Sequence, residues 1–445
     1  MMSEEQQLTF RQRAMYGSAQ FGLSAITEAQ LLLFLFFYSS SADEAPGPFT
    51  TRKLIGYAML FGRVVDALAD PLVGNWSDRT RTRWGRRVPF FAGGLLPLCA
   101  VFVLTWTPPV RGVSWLNALY AAALFGAFNF LYTLVICPYL ALMPDIARTT
   151  PDRLRTMAAQ SVFNVLGVGV GMVVPFLLAA RLGYVPMALI LSAVVLAFAL
   201  PTVFGPRERE EPEPSRAGFF QAVAMTLSNK HFLCYIAAFS LQWMGLRMVL
   251  AAIPDYVTQV LGRTLQDAAL VMLATLASAL VAFAFVPALA QRWGRRRAFA
   301  ASCAALVVVV PALAFVGLFS PLSPMGQMVV LMLLAGVPAA FLFVVPYTML
   351  ADIIEYDAAR WAMRREAMYF GVQGFLVKLA WGLAGFITAQ LLEYLGPSAR
   401  VPNSVLGLRA VGPVAALFFL AAALVIRHYR LDDRQAGEPQ RAAGV

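Results

Sequence analysis

Histidine, cysteine and charge are all scarce in this chain. Its 445 residues include two histidines and four cysteines, and only 13% are charged. His231 and His428 fall at predicted helix ends, far apart in sequence, which disfavours a histidine-based hydrolase or metal centre. Cys99, Cys137, Cys234 and Cys303 stand singly in apolar segments, with neither metal-ligand spacing nor a disulfide framework. A soluble domain carries about 25% charge and is about 45–50% apolar. Here 60% of the residues are hydrophobic. Polar surface is too sparse for water, so the excess apolar area needs lipid as its solvent. The polar start, Met1 to Arg13, leads into no signal-peptide core or small-residue cleavage site, so the first apolar run is expected to belong to the mature protein.

What is present is long apolar runs, such as Leu31–Tyr38, Ala118–Leu142 and Met328–Leu350. A membrane barrel would show weak alternation instead, so these read as helices. Twelve are predicted, at 16–39, 53–77, 88–107, 115–142, 156–180, 184–204, 231–259, 266–290, 298–318, 325–351, 366–394 and 407–427. With the N-terminus inside, Arg52, Lys53, Arg111, Arg181, Arg263, Arg400 and Arg409 lie in or beside outer loops. Arg63, Arg247 and Lys378 lie within spans, and the remainder of the 35 Lys and Arg are cytoplasmic. This positive-inside bias puts both termini in the cytoplasm, as expected for an inner (plasma) membrane protein of bacterial type. It also accounts for the net charge of +11 without nucleic acid.

One long polar segment, 205–230, is rich in Pro, Arg and Glu and reads as a cytoplasmic linker. It separates a six-helix bundle at 1–204 from another at 231–427, and 428–445 reads as a cytoplasmic tail. The halves share landmarks. Trp84-Gly85-Arg86-Arg87 recurs as Trp293-Gly294-Arg295-Arg296, and Pro138-Tyr139 with Asp145 recurs as Pro346-Tyr347 with Asp352. The fold class expected is therefore all-α and polytopic, two six-helix repeats in the manner of a major facilitator, with solute bound near the midplane.

Charges inside spans are costly and need a reason. Asp66 and Asp70 in the second predicted helix are four residues apart and share one face. Two anions so close repel, and a bound cation, Na⁺ or a proton, removes the conflict. The alternative is a structural pair satisfied by Arg63 or another helix. Lys378 is the natural opposite charge, either released when a cation binds or held in a static ion pair. Glu28 and Arg247 are intramembrane candidates to touch solute or to pair structurally. Asn129, Gln160 and Asn164 are weaker polar candidates, and Gly167, Gly169 and Gly171 suit close helix packing. In the loop Ser77–Arg87, Asp78, Arg79, Arg83 and Arg86 form a candidate cytoplasmic gate, although the arginines serve topology equally well.

The block Gly62-Arg63-x-x-Asp66-Ala67-x-x-Asp70-Pro71 resembles the melibiose permease family, the glycoside–pentoside–hexuronide:cation symporters of the major facilitator superfamily. Asp78–Arg87 with Pro89, Pro138-Tyr139-x-Ala141-Leu142-x-Pro144 and Gln373-x-x-x-x-Lys378 add to the likeness. The resemblance implies a cation at Asp66 and Asp70, with Lys378 beside them and Thr133 nearby. Ala69 stands where the sugar-transporting relative has Asn. At positions where that relative uses charged sugar ligands, this chain has Ser24, Ile136 and Val162. Together with Glu28, Asn164, Arg247, Tyr369 and Gln373 they are the candidate solute-cavity residues. Losing those charges argues against a melibiose-like galactoside.

The expected function is secondary transport, a cation-coupled symporter of a small organic solute. An amphiphile such as a lysophospholipid is the alternative, and a membrane-embedded lipid enzyme a distant one. No cofactor is expected beyond the coupling ion, Na⁺ or H⁺. The expected partners are the solute, the cation and membrane lipid around a monomer.

Overall fold

The computed structural model describes residues 8–42, 46–80, 82, 84–147, 150–205, 226–318, 322–361, 366–398, 400–429 and 431. Most of the expected linker, Arg83 and most of the tail lie outside these residues, as do the side chains of Asp78 and Arg79. Among the described residues the fold is helical, and the one extended pairing is an isolated bridge between Thr82 and Gly85. The chain forms two compact units, Met1–Arg216 with Arg263–Ala269, and Ala217–Gly262 with Leu270–Val445.

The first unit holds α1 (Phe10–Ser39), α2 (Arg52–Arg79), α3 (Val88–Leu104), α4 (Trp115–Ile146), α5 (Thr150–Leu182) and α6 (Tyr184–Val203). A capping box opens α1, with the Thr9 hydroxyl accepting from the Gln12 backbone and the Gln12 side chain accepting from the Thr9 backbone. Helix α1 packs along α5 and α6, whereas α2 packs along α4. Gly167 and Gly171 bring α5 onto α1: a Cβ there would lie 2.2 Å from the Phe21 carbonyl oxygen and 2.6 Å from that of Ala25. Gly169, two residues from each, falls on another face.

The start of α4 is pinned by Asn117, which is fully buried. Its amide donates to the carbonyls of Phe49, Val110 and Gly112, and its oxygen accepts from the Val110 N–H. Asn117→Ala would take this partner from the Val110 and Gly112 groups, while the Phe49 carbonyl keeps the Ser114 N–H, and an unmet buried polar group costs about 1–3 kcal/mol. The variant is expected to melt several degrees lower in a heating series followed by size-exclusion chromatography; an unchanged midpoint would show that the clamp is dispensable.

The second unit holds α7 (Lys230–Asp255, extended by a π turn at Tyr256–Val260), α8 (Leu265–Phe283), α9 (Val286–Trp293) and α10 (Arg295–Val309). It continues with α11 (Pro324–Trp361), α12 (Glu366–Leu395) and α13 (Leu406–Val425). Its packing repeats that of the first unit, with α7 against α12 and α13.

Ten of the described helical segments are long and apolar enough to cross a membrane. The charge-bearing α2, with Arg63, Asp66 and Asp70 in its middle, and the 17-residue α3 complete the expected series. Several boundaries differ from expectation: α1 and α5 each begin six residues earlier, at Phe10 and Thr150, and three further differences have a local cause. The helix expected at 266–290 is interrupted at Ala284–Phe285, where Pro287 removes an N–H and fits only the first turn of a new helix. The one expected at 298–318 tightens to a 3₁₀ turn at Val310–Phe315, around Pro311. Helix α11 runs to Trp361, beyond the expected 351, because apolarity stops at the membrane whereas backbone hydrogen bonding continues past it.

Candidate cation site

Helices α2 and α4 meet where Gly62 and Gly126 leave room. A Cβ at Gly62 would lie 2.2 Å from the Phe125 ring, and one at Gly126 would lie 3.0 Å from that of Phe61. Along this seam α2 presents Arg63, Asp66 and Asp70 on successive turns, and α4 presents Thr133. The Thr133 hydroxyl donates to Asp66 Oδ1 at 2.7 Å and lies 3.4 Å from Asp70 Oδ1. Arg63 Nη1 donates to Asp66 Oδ2 at 2.9 Å. Its guanidinium also sits 5.9 Å from the Phe125 ring centroid. Arg63, Asp66 and Thr133 are buried, and Asp70 is half-buried.

The chemistry follows from counting groups. Arg63 offsets one carboxylate, so these three ionised side chains carry one net negative charge. Thr133 has one proton, and the short bond to Asp66 uses it. The Thr133 oxygen and the two carboxylates are all oxygen donors, a hard set of the kind a small hard cation takes. Among the described residues no three His, Cys, Asp or Glu cluster as metal ligands do. Ala69, at 1% exposure, adds no ligand. Nearby, the Asn129 amide is directed to the Phe125 carbonyl, 2.7 Å away.

A second polar group lies between α1 and α5. Ser24 Oγ donates to Asn164 Oδ1 at 2.7 Å, and Gln20 Nε2 donates to Asn164 Oδ1 at 3.3 Å. Gln160 Nε2 donates to Gln20 Oε1, also at 3.3 Å. Gln20 escaped the sequence reading; its position one turn before Ser24 is the signal that marks it. Glu28, buried one turn further along α1, sits beside Gly171 of α5. Ile136 is buried on α4 and Val162 is exposed on α5, neither offering a hydrogen bond.

In the second unit Tyr235 donates to Gln373 Oε1 at 2.9 Å, and the Asn229 amide donates to the Tyr369 oxygen at 3.1 Å. The Arg247 guanidinium lies 4.5 Å from the ring centroid of Trp381 and 5.3 Å from that of Trp243. Lys378 is half-buried on α12. Each Trp-Gly-Arg-Arg repeat ties its turn to a helix: Arg87 donates to the Ala141 carbonyl on α4, and Arg295 pairs with Asp352 on α11. Arg86 is half-buried in the first of these turns.

The family described as MFS/sugar transport protein matches residues 15–433. The chain belongs to that family. It is a family of membrane transporters, not of enzymes, and the melibiose permease-like motifs agree with it. The inner membrane symporter YicJ of Escherichia coli is 25% identical over 95% of this chain and 92% of its own. The isoprimeverose transporter of Lactiplantibacillus pentosus is 21% identical, over 95% of this chain and 88% of its own. Among solved structures, the nucleoside transporter NupG superposes with a TM-score of 0.66 at 13% identity, covering 94% of this chain and 97% of that one. That likeness shows the fold, that of a major facilitator transporter.

Proposed function

We propose that this major facilitator protein is a cation-coupled symporter of a small, sugar-like solute, with the coupling cation, Na⁺ or H⁺, held by Asp66, Asp70 and Thr133. The observation that carries this reading is the reach of one buried hydroxyl to both carboxylates, which gathers three oxygen-bearing side chains at one point of the α2–α4 seam. Arg63 orients Asp66. The hydroxyl and carboxamides of Gln20, Ser24, Gln160 and Asn164 suit a polar, uncharged solute, and the relatives named as symporter and isoprimeverose transporter favour the same class. Coupling requires that cation and solute favour the same conformational state.

The test is the melting temperature of purified protein against Na⁺, with choline holding ionic strength constant. A ligand bound only by the folded state stabilises by about 2.7 kcal/mol at a hundred times its Kd. Wild type is expected to show a saturable rise. Thr133→Val keeps the shape but loses the hydroxyl oxygen offered to the cation. Half-saturation should therefore move upward, and Thr133→Ser should restore it. Absence of any response to Na⁺, combined with uptake indifferent to both Na⁺ and pH gradients in proteoliposomes, would rule out the proposed site.

A further inference from the structure

A groove of about 540 Å³ opens between α8–α9 and α11, within the range of small-ligand pockets, ~300–1,000 Å³. Ala277, Val281, Phe285, Leu289, Leu333 and Val337 form most of its wall. Ser278 supplies the one hydroxyl there and donates it to the Thr275 carbonyl at 3.1 Å. The groove has a backbone cause at each end. At one end a Cβ on Gly336 would lie 2.0 Å from Ser278 Oγ and 2.4 Å from the Thr275 carbonyl oxygen, so α11 and α8 touch. At the other end the interruption before Pro287 re-aims the chain into α9. Val281 and Phe285 are 66% and 61% exposed, the first inside and the second just past a helix long and apolar enough to cross a membrane, so an acyl chain is the natural filling.

The same stripe of α9 continues past Leu289 to Arg292 and Trp293, three and four residues on. Gly294, with φ of 82°, turns the chain directly into α10 and brings Arg297 to its first turn. Of the four arginines here, Arg295 pairs with Asp352 and Arg296 donates to the Tyr429 carbonyl. Arg292 and Arg297 are exposed and make no hydrogen bond or ion pair with any described residue. Trp293, 48% exposed, is the residue type that settles at headgroup level. The arginine count assigns this end to the cytoplasm, where the leaflet is anionic.

We infer that the second unit binds an anionic phospholipid, one acyl chain in the α8–α9/α11 groove and the phosphate at Arg292 and Arg297. The inference does not depend on the cation site.

The test titrates purified full-length protein with phosphatidylglycerol, with phosphatidylcholine of the same chains, and with inorganic phosphate, reading melting temperature. A basic residue near an anionic lipid contributes about 1 kcal/mol, so two arginines should give phosphatidylglycerol roughly a thirtyfold lower half-saturation than phosphatidylcholine. The double variant Arg292→Gln with Arg297→Gln, both on the surface, should abolish that preference while keeping the lipid-free melting temperature of wild type. Ala277→Phe, which adds bulk where the groove is open, should weaken both lipids. Equal half-saturation for the two lipids in wild type, or an undiminished preference in the double variant, would overturn the inference. So would a rise with inorganic phosphate alone matching that with phosphatidylglycerol.

Discussion

Asp70→Asn is expected to remove the Na⁺-dependent rise in melting temperature and Na⁺-driven uptake while leaving the Na⁺-free protein close to wild type. Asp70 is half-buried, and Arg63 is paired with Asp66, so the substitution does not strand that buried cation. It does change the net charge of Arg63, Asp66 and Asp70 from one negative to zero. A unit charge about 4 Å from the cation is worth about 4 kcal/mol at an effective dielectric near 20, roughly a thousandfold in affinity. Asp66→Asn should behave differently. It removes the carboxylate that Arg63 and Thr133 both address, and breaking a buried pair costs about 3–5 kcal/mol. That variant should lose folding stability as well as the Na⁺ response. A wild-type Na⁺ titration in Asp70→Asn would sink the assignment of the cation to this seam.

Gly167→Ala is expected to destabilise the first unit by about 2 kcal/mol or more. The added methyl would meet backbone, not a movable side chain: the Phe21 carbonyl oxygen at 2.2 Å and Phe21 Cα at 2.8 Å. Helix α1 must then shift on α5, and overpacking of this kind costs about 1–3 kcal/mol, occasionally more. Alanine's better helix propensity returns at most about 1 kcal/mol. The shift would also displace Gln20 and Ser24 from Asn164. Gly93→Ala on α3, where a Cβ meets nothing within 4 Å, is the matched control and should be neutral or stabilising. Equal melting temperatures for the two variants would mean that α1 and α5 yield more easily than their backbone contact implies.

How far the site could be read beforehand depended on sequence distance. Asp66 and Asp70 announce themselves, because two acids one turn apart in an apolar helix are conspicuous, and Arg63 is within the same few residues. Thr133 carries no such mark; it is one hydroxyl in an apolar span, 63 residues beyond Asp70, and only family likeness singled it out. Gln20 was missed because it stands one turn into the expected helix at 16–39, where a carboxamide reads as part of the polar entry. The helix series was legible from apolar runs, but the interruption at Ala284–Phe285 was not, since averaging over a span hides one proline. The long extension of α11 past 351 was hidden for the opposite reason: its acids signal an exit from lipid while its backbone stays helical.

Helix α1 also shapes how the protein is made. It is buried along most of its length, and its polar side chains find their partners late in the chain: Ser18 bonds the Phe198 carbonyl, 180 residues on, and Ser24 bonds Asn164, 140 residues on. At about 5–20 residues per second of synthesis, the first helix made waits on the order of ten to thirty seconds for the last helices that cover it. During that interval Ser18 and Ser24 would have only partners within α1, Met15 and Gln20, and would lack those on α6 and α5, so α1 is poorly suited to leave the insertion machinery alone. The six-helix unit, not the single helix, is then the expected step in which this half enters the membrane.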